Sequence, residues 1–150
     1  MGGEFWSYFV PYQEDIRGAL EALREQEFRA GRFWQPDEVQ PGFLGRILGH
    51  APSKPKPATS IREAIRISEA TGTRSILDME RVSDTPGSGS VSPLPPDELR
   101  KLFGTEQPAR EAVEQSEDLI ERLERGQGVY IVTYAKGKPD GIYFAGYSYD

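Results

Sequence analysis

Two runs near the end of the chain, GVYIVTYA from Gly128 and GIYFAGYSY from Gly141, constrain the fold more than any other feature. They flank a polar KGKPDG segment at Lys136–Gly141, which predicts a β-hairpin. In the first run Val129 and Ile131 alternate with Tyr130, Val132 and Tyr134, so both faces carry apolar side chains. A strand of that kind belongs at the centre of a covered sheet. Phe5–Val10 (FWSYFV), closed by Pro11, predicts another strand.

The helical segments are read from period and caps. Ile16, Ala19, Leu20 and Leu23 recur at helical spacing between Gln13 and Ala30, and Gly31 follows as a C-terminal stop. Ser60 and Glu63 form a capping-box pattern, so a helix is expected from Ile61 to Gly72. Pro96, Asp97 and Glu98 open a short helix ended by Gly104. Pro108 opens a longer one to about Arg125, striped by Ala112, Val113, Leu119, Ile120 and Leu123. Arg74–Val82 (RSILDMERV) predicts a strand. Residues 35–59, with Pro36, Pro41, Pro52, Pro55 and Pro57, and residues 83–96 (SDTPGSGSVSPLPP) predict flexible loops, and within the first Phe43, Leu44, Ile47 and Leu48 suit one short turn packed on the core. The expected architecture is a single α+β domain over residues 1–150. Its mainly antiparallel sheet has about four strands, helices on one face and a C-terminal hairpin.

Composition excludes several functions. The 150 residues include no cysteine and one histidine, which removes disulfides, thiol catalysis and two-histidine metal sites. No apolar run is long enough to span a membrane, and no secretory leader is visible. A net charge of −6 makes a phosphate backbone a poor partner. Residues 41–76 reverse that sign locally, with Arg46, Lys54, Lys56, Arg62, Arg66 and Arg74 against two acids.

Four features carry candidate chemistry. The GSGS at Gly87–Ser90 lacks the Gly-Lys-Ser/Thr ending of a phosphate loop and the third glycine of a dinucleotide fingerprint, so it reads as linker. His50 sits in a loop with no ligand or triad spacing around it. Asp78 and Glu80, two apart on the expected strand, would point the same way about 6–7 Å apart. Such a pair suits acid–base or cation-binding work, with Arg46 or Arg74 holding an anionic group and the loop at 84–96 as a lid. Finally, Trp6, Tyr8, Tyr12, Tyr130, Tyr134, Tyr143, Phe144, Tyr147 and Tyr149 gather in or beside the expected strands. With helices on one face only, the other face would offer Trp6, Tyr8, Tyr130, Tyr134, Tyr143 and Tyr147 as a platform for a partner.

The segments FWSYFVPYQEDI, TRSILDMERVSDTPG and GVYIVTYAKGKPDGIYFAGYSYD, in that order, resemble those of a family of small bacterial proteins of similar length and layout. That resemblance implies a bacterial cytoplasmic protein and assigns no activity. The sequence therefore leads to an acidic, non-catalytic protein-binding module of inhibitor, immunity or adaptor type, with no cofactor and no metal. The alternative is a small-molecule-binding protein or modest enzyme using Asp78 and Glu80, with His50 as a further catalytic candidate. The oligomeric state stays open.

Overall fold

Strand β5 (Lys138–Tyr147) forms the spine of the molecule, flanked by β1 (Phe5–Pro11) and β4 (Gly128–Ala135), both antiparallel to it. The computed structural model describes residues 3–38, 40–54, 56–68 and 71–149; Pro55 of the loop named above lies outside them. Beyond β4 come β3 (Ser90–Pro93) and the two-residue β2 (Arg81–Val82), giving the order β1-β5-β4-β3-β2. The β3–β4 and β2–β3 pairs are parallel. The α+β class and the paired C-terminal strands follow expectation, whereas the sheet is five-stranded and mixed.

The missed strand explains the difference. β3 lies inside the stretch read as flexible linker, yet Ser90, Val91 and Ser92 are buried. Small polar residues can occupy a central strand when their hydroxyls are bonded, and Ser90 Oγ–H donates to the Gly87 carbonyl at 2.9 Å. Once β3 exists, the connection to β4 must cross a face of the sheet, because parallel neighbours need a long crossover. Helices α4 (Pro96–Phe103), α5 (Arg110–Glu114) and α6 (Glu117–Arg122) supply it. The expected long helix from Pro108 is therefore two short ones. Ser116 breaks it by turning its hydroxyl onto the Leu119 N–H at 3.1 Å, as an N-cap does.

Both faces of the sheet are covered, which corrects the expectation of helices on one. On one face Trp6, Ile142, Phe144 and Val91 pack against Ala19, Leu20 and Leu23 of α1 (Ile16–Arg29), with Ile76 and Met79 closing the edge. On the other, Val129, Ile131, Tyr143 and Ala145 pack against Leu94, Val113 and Leu119, with Leu99 and Phe103 of α4 alongside. Residues alternate between the two clusters along β5, as a strand's two-residue period requires.

The hairpin turn is tighter than the sequence suggests. Only Lys136 and Gly137 form it, with φ of 52° and 76°, the left-handed pair that matches strand twist in a two-residue turn. Pro139 and Asp140 belong to β5, and a register shift at Thr133/Tyr134 accommodates them. At the other end Gly146 faces Trp6 in register. A Cβ there would come within 2.4 Å of the indole Cζ2 and 2.6 Å of the Gln127 carbonyl oxygen. The indole thus occupies space that Gly146 and Gly128 leave empty.

Between β1 and the crossover lie the remaining elements, α2 (Phe43–Ile47) and α3 (Ile61–Ile67). The capping box at Ser60 forms: its Oγ accepts from the Glu63 N–H at 3.1 Å. The Glu63 carboxylate reaches back to Thr59, accepting from its hydroxyl at 2.6 Å and its N–H at 3.3 Å. No helix of the described residues is long and apolar enough to cross a membrane.

Candidate functional site

The expected strand at Arg74–Val82 is mostly a turn. Ile76–Asp78 is a single 3-10 turn capped by the Ser75 hydroxyl, and only Arg81 and Val82 pair in the sheet. Asp78 and Glu80 therefore do not form a strand-face pair. Asp78 is 4% exposed, whereas Glu80 is exposed. Asp78 Oδ1 accepts from the Thr73 N–H and the Thr73 hydroxyl, each at 2.8 Å. The Thr73 hydroxyl also bonds the Ser75 hydroxyl at 2.8 Å. This is a buried knot of short-range hydrogen bonds that fixes the entry to β2. Among the described residues the other oxygen, Asp78 Oδ2, meets no hydrogen-bond partner.

Burial pushes the Asp78 carboxyl above its ordinary range, and the backbone N–H groups of Thr73, Arg74 and Ser75 pull it partly back. A carboxyl raised by folding binds its proton more tightly in the native state than in the unfolded chain. Its contribution to stability is full below the unfolded value, about 3.9, and is lost as pH rises through the raised folded value. Asp78→Asn should remove that falling limb from the pH profile of unfolding free energy, leaving the variant's profile flatter above pH 4. Urea denaturation across the acid range checks this, and superimposable slopes for the two proteins would refute it.

The aromatic platform does not exist as an open face. Trp6 and Tyr143 are buried, and Tyr8, Tyr130, Tyr134 and Tyr147 are half-buried beneath the helices or at the sheet margin. The Tyr8 oxygen accepts from the Ile76 N–H at 3.4 Å. Burial pushes the Tyr8 and Tyr130 phenols upward. Arg74 has a left-handed backbone, φ 54°, and its guanidinium lies 4.3 Å from the Trp34 ring centre while pairing with Glu4 at 3.3 Å. Arg74 is thus engaged with the protein itself. His50 is exposed just past α2, its backbone N–H bound to the Gly45 carbonyl. Among the described residues no group of three or more histidines and carboxylates gathers as metal ligands.

The exceptional surface is α2. Phe43, Leu44, Ile47 and the capping Leu48 are 78%, 72%, 64% and 70% exposed, and no residue of the helix is buried. At about 100° per residue these four side chains fall within an arc of about 140°, with Gly45 and Arg46 on the remaining side. The helix is held by local bonds. The Arg46 and Leu48 N–H groups donate to the Gly42 and Leu44 carbonyls, and Arg46 Nε–H donates back to the Pro41 carbonyl at 3.2 Å. No acidic residue lies between Glu38 and Glu63, while Arg46, Lys54, Lys56 and Arg62 do. The only other large exposed hydrophobics among the described residues are Tyr12 and Tyr149, at 37% and 40%. The sequence singles out Arg46 as a binding candidate and reads its four apolar neighbours as a turn packed on the core, whereas all four are exposed. The signal that separates the two readings is the setting. Glycines at 42, 45 and 49 and prolines on both sides leave this turn without an element to carry it inward.

Comparison of the chain with family models, with curated proteins and with solved structures yields no match.

Proposed function

We propose that the protein is a non-catalytic binding module of inhibitor, immunity or adaptor type, and that α2 is the element that enters its protein partner. The observation that carries this is the exposure of Phe43, Leu44, Ile47 and Leu48 on one side of a short helix that has no buried residue. Burying the four would contribute roughly 6–12 kcal/mol before association costs. Helix-in-groove recognition uses anchors spaced in this way. The basic residues flanking α2 favour an apolar groove with an acidic rim, even though the chain as a whole is acidic. The reading of Asp78 and Glu80 as a strand-borne acid–base pair has no comparable support, since one carboxylate is enclosed and bonded and the other faces solvent.

The test is affinity capture from the native cytosol of the source cell at low salt, comparing the wild-type chain with Leu44→Ser and Leu48→Ser. Each substitution removes roughly 1.5–3 kcal/mol of burial on binding, a tenfold to hundredfold weakening. Both sites are exposed, so folding should be unchanged by circular dichroism. A stoichiometric partner retained by the wild type and lost from both variants is the expected result. Recovery of the same partner with all three proteins, or of the wild-type chain alone, would remove the proposal.

A further inference from the structure

Strand β1 is an open edge of the sheet. Its register with β5 fixes which of its backbone groups are used. The Tyr12 N–H donates to the Asp140 carbonyl, and the Ser148 N–H donates to the Glu4 carbonyl. In an antiparallel ladder bonded residues alternate, so Glu4, Trp6, Tyr8 and Val10 bond inward to β5. The N–H and C=O groups of Phe5, Ser7 and Phe9 point outward, and none is bonded to another described residue. Native edges are normally blunted by charged side chains, bulges or a covering element. Within β1 there is no charge, its one proline is Pro11 at the last position, and the nearest charge before it is Glu4.

A groove of about 430 Å³ runs beside this edge on the α5 side. Phe5, Ser7, Phe9 and Tyr143 line it from the sheet, and Arg110 and Glu114 from the helix. Arg110 stacks over the Phe9 ring at 3.7 Å and pairs with Glu114 at 2.6 Å. The rim therefore carries both signs one helical turn apart.

We propose that β1 is a homodimer interface, in which a second copy of this chain adds its own β1 antiparallel about a two-fold axis through Ser7. That register sets Phe5 against the partner's Phe9 and Ser7 against the partner's Ser7, so every outward donor meets an outward acceptor. The surface is self-complementary in the way an isologous contact requires. The axis also reverses the partner's groove, laying a rim that carries both Arg110 and Glu114 against its own reverse. Phe5 and Phe9, half-buried in one copy, would be covered in the pair. This inference rests on the sheet edge alone and stands or falls separately from the role of α2.

The test is mass by light scattering coupled to gel filtration across a concentration series, with amide exchange read at Phe5, Ser7 and Phe9. Two variants are made, Ser7→Pro and Ser7→Lys. Ser7 is exposed and its N–H points away from β5, so proline removes only an outward donor. Lysine instead places like charges across the axis. The wild type is expected at twice the 16.8 kDa chain mass, with exchange at Phe5 and Phe9 at least about tenfold slower than in either variant and at Ser7 slower than at the lysine of Ser7→Lys. Both variants are expected at the chain mass, with the β5 amides still protected. A monomeric wild type at every concentration would overturn the proposal. So would a dimer that survives both substitutions. Protection of the three amides that arises only when a foreign extended peptide is added would assign the edge to another guest and equally overturn it.

Discussion

Phe144→Ala is expected to cost about 3–5 kcal/mol of unfolding free energy. Phe144 is the bulkiest fully buried side chain, on the spine strand, beneath the Leu20 and Leu23 face of α1 and tilted against Tyr130 at 6.4 Å. Its neighbours come from three different elements, so none can collapse alone into the space left behind. Urea denaturation gives the number directly. Thermal unfolding should fall by roughly 10 °C, given that 1 kcal/mol moves a chain of this size by about 2–4 °C. A loss under about 1.5 kcal/mol would mean that α1 does not pack on the sheet as described.

Gly146→Ala acts on the same strand by the opposite route, adding one methyl group. Overpacking usually costs about 1–3 kcal/mol, and this site belongs at the upper end. The methyl meets the indole of Trp6, which the core holds, and the Gln127 carbonyl, which belongs to the backbone beside β4. Neither can swing away as the tip of a long side chain can. Gly42→Ala makes the matching control, because a Cβ there meets nothing within 4 Å and the backbone φ is −61°. Equal stabilities for the two alanine variants would contradict the close approach of Trp6 to β5.

The legible parts of the fold were those whose pattern is local. The Ser60 cap, the stripe of α1 and the apolar faces of β4 each declare themselves within a dozen residues. β3 did not, because Ser90 and Ser92 are polar letters that become core residues only once a neighbouring strand and the Gly87 carbonyl receive them. Reading it as linker removed the parallel pairing and hid the crossover, which in turn left the second face of the sheet bare and the tyrosines on offer. Asp78 failed for a related reason. Sequence spacing places a carboxylate beside Glu80, but only the folded turn shows that Thr73 claims it. The α2 side chains were noticed as apolar and assigned inward, since a sequence does not show whether a short turn has anything to lean on.

The position of β5 between β1 and β4 has a consequence for biosynthesis. A ribosome makes β1 first, yet its hydrogen-bonding neighbour is completed only at Tyr147. Until then the aromatic strand Phe5–Pro11 has no ladder and α1 no floor, so the nascent chain carries an unshielded adhesive segment until β5 is made. Closure then comes late and over a long sequence separation, after the β4–β5 hairpin has formed from adjacent residues. During that interval the protein's own packing does not yet keep β1 from pairing with strands of other chains.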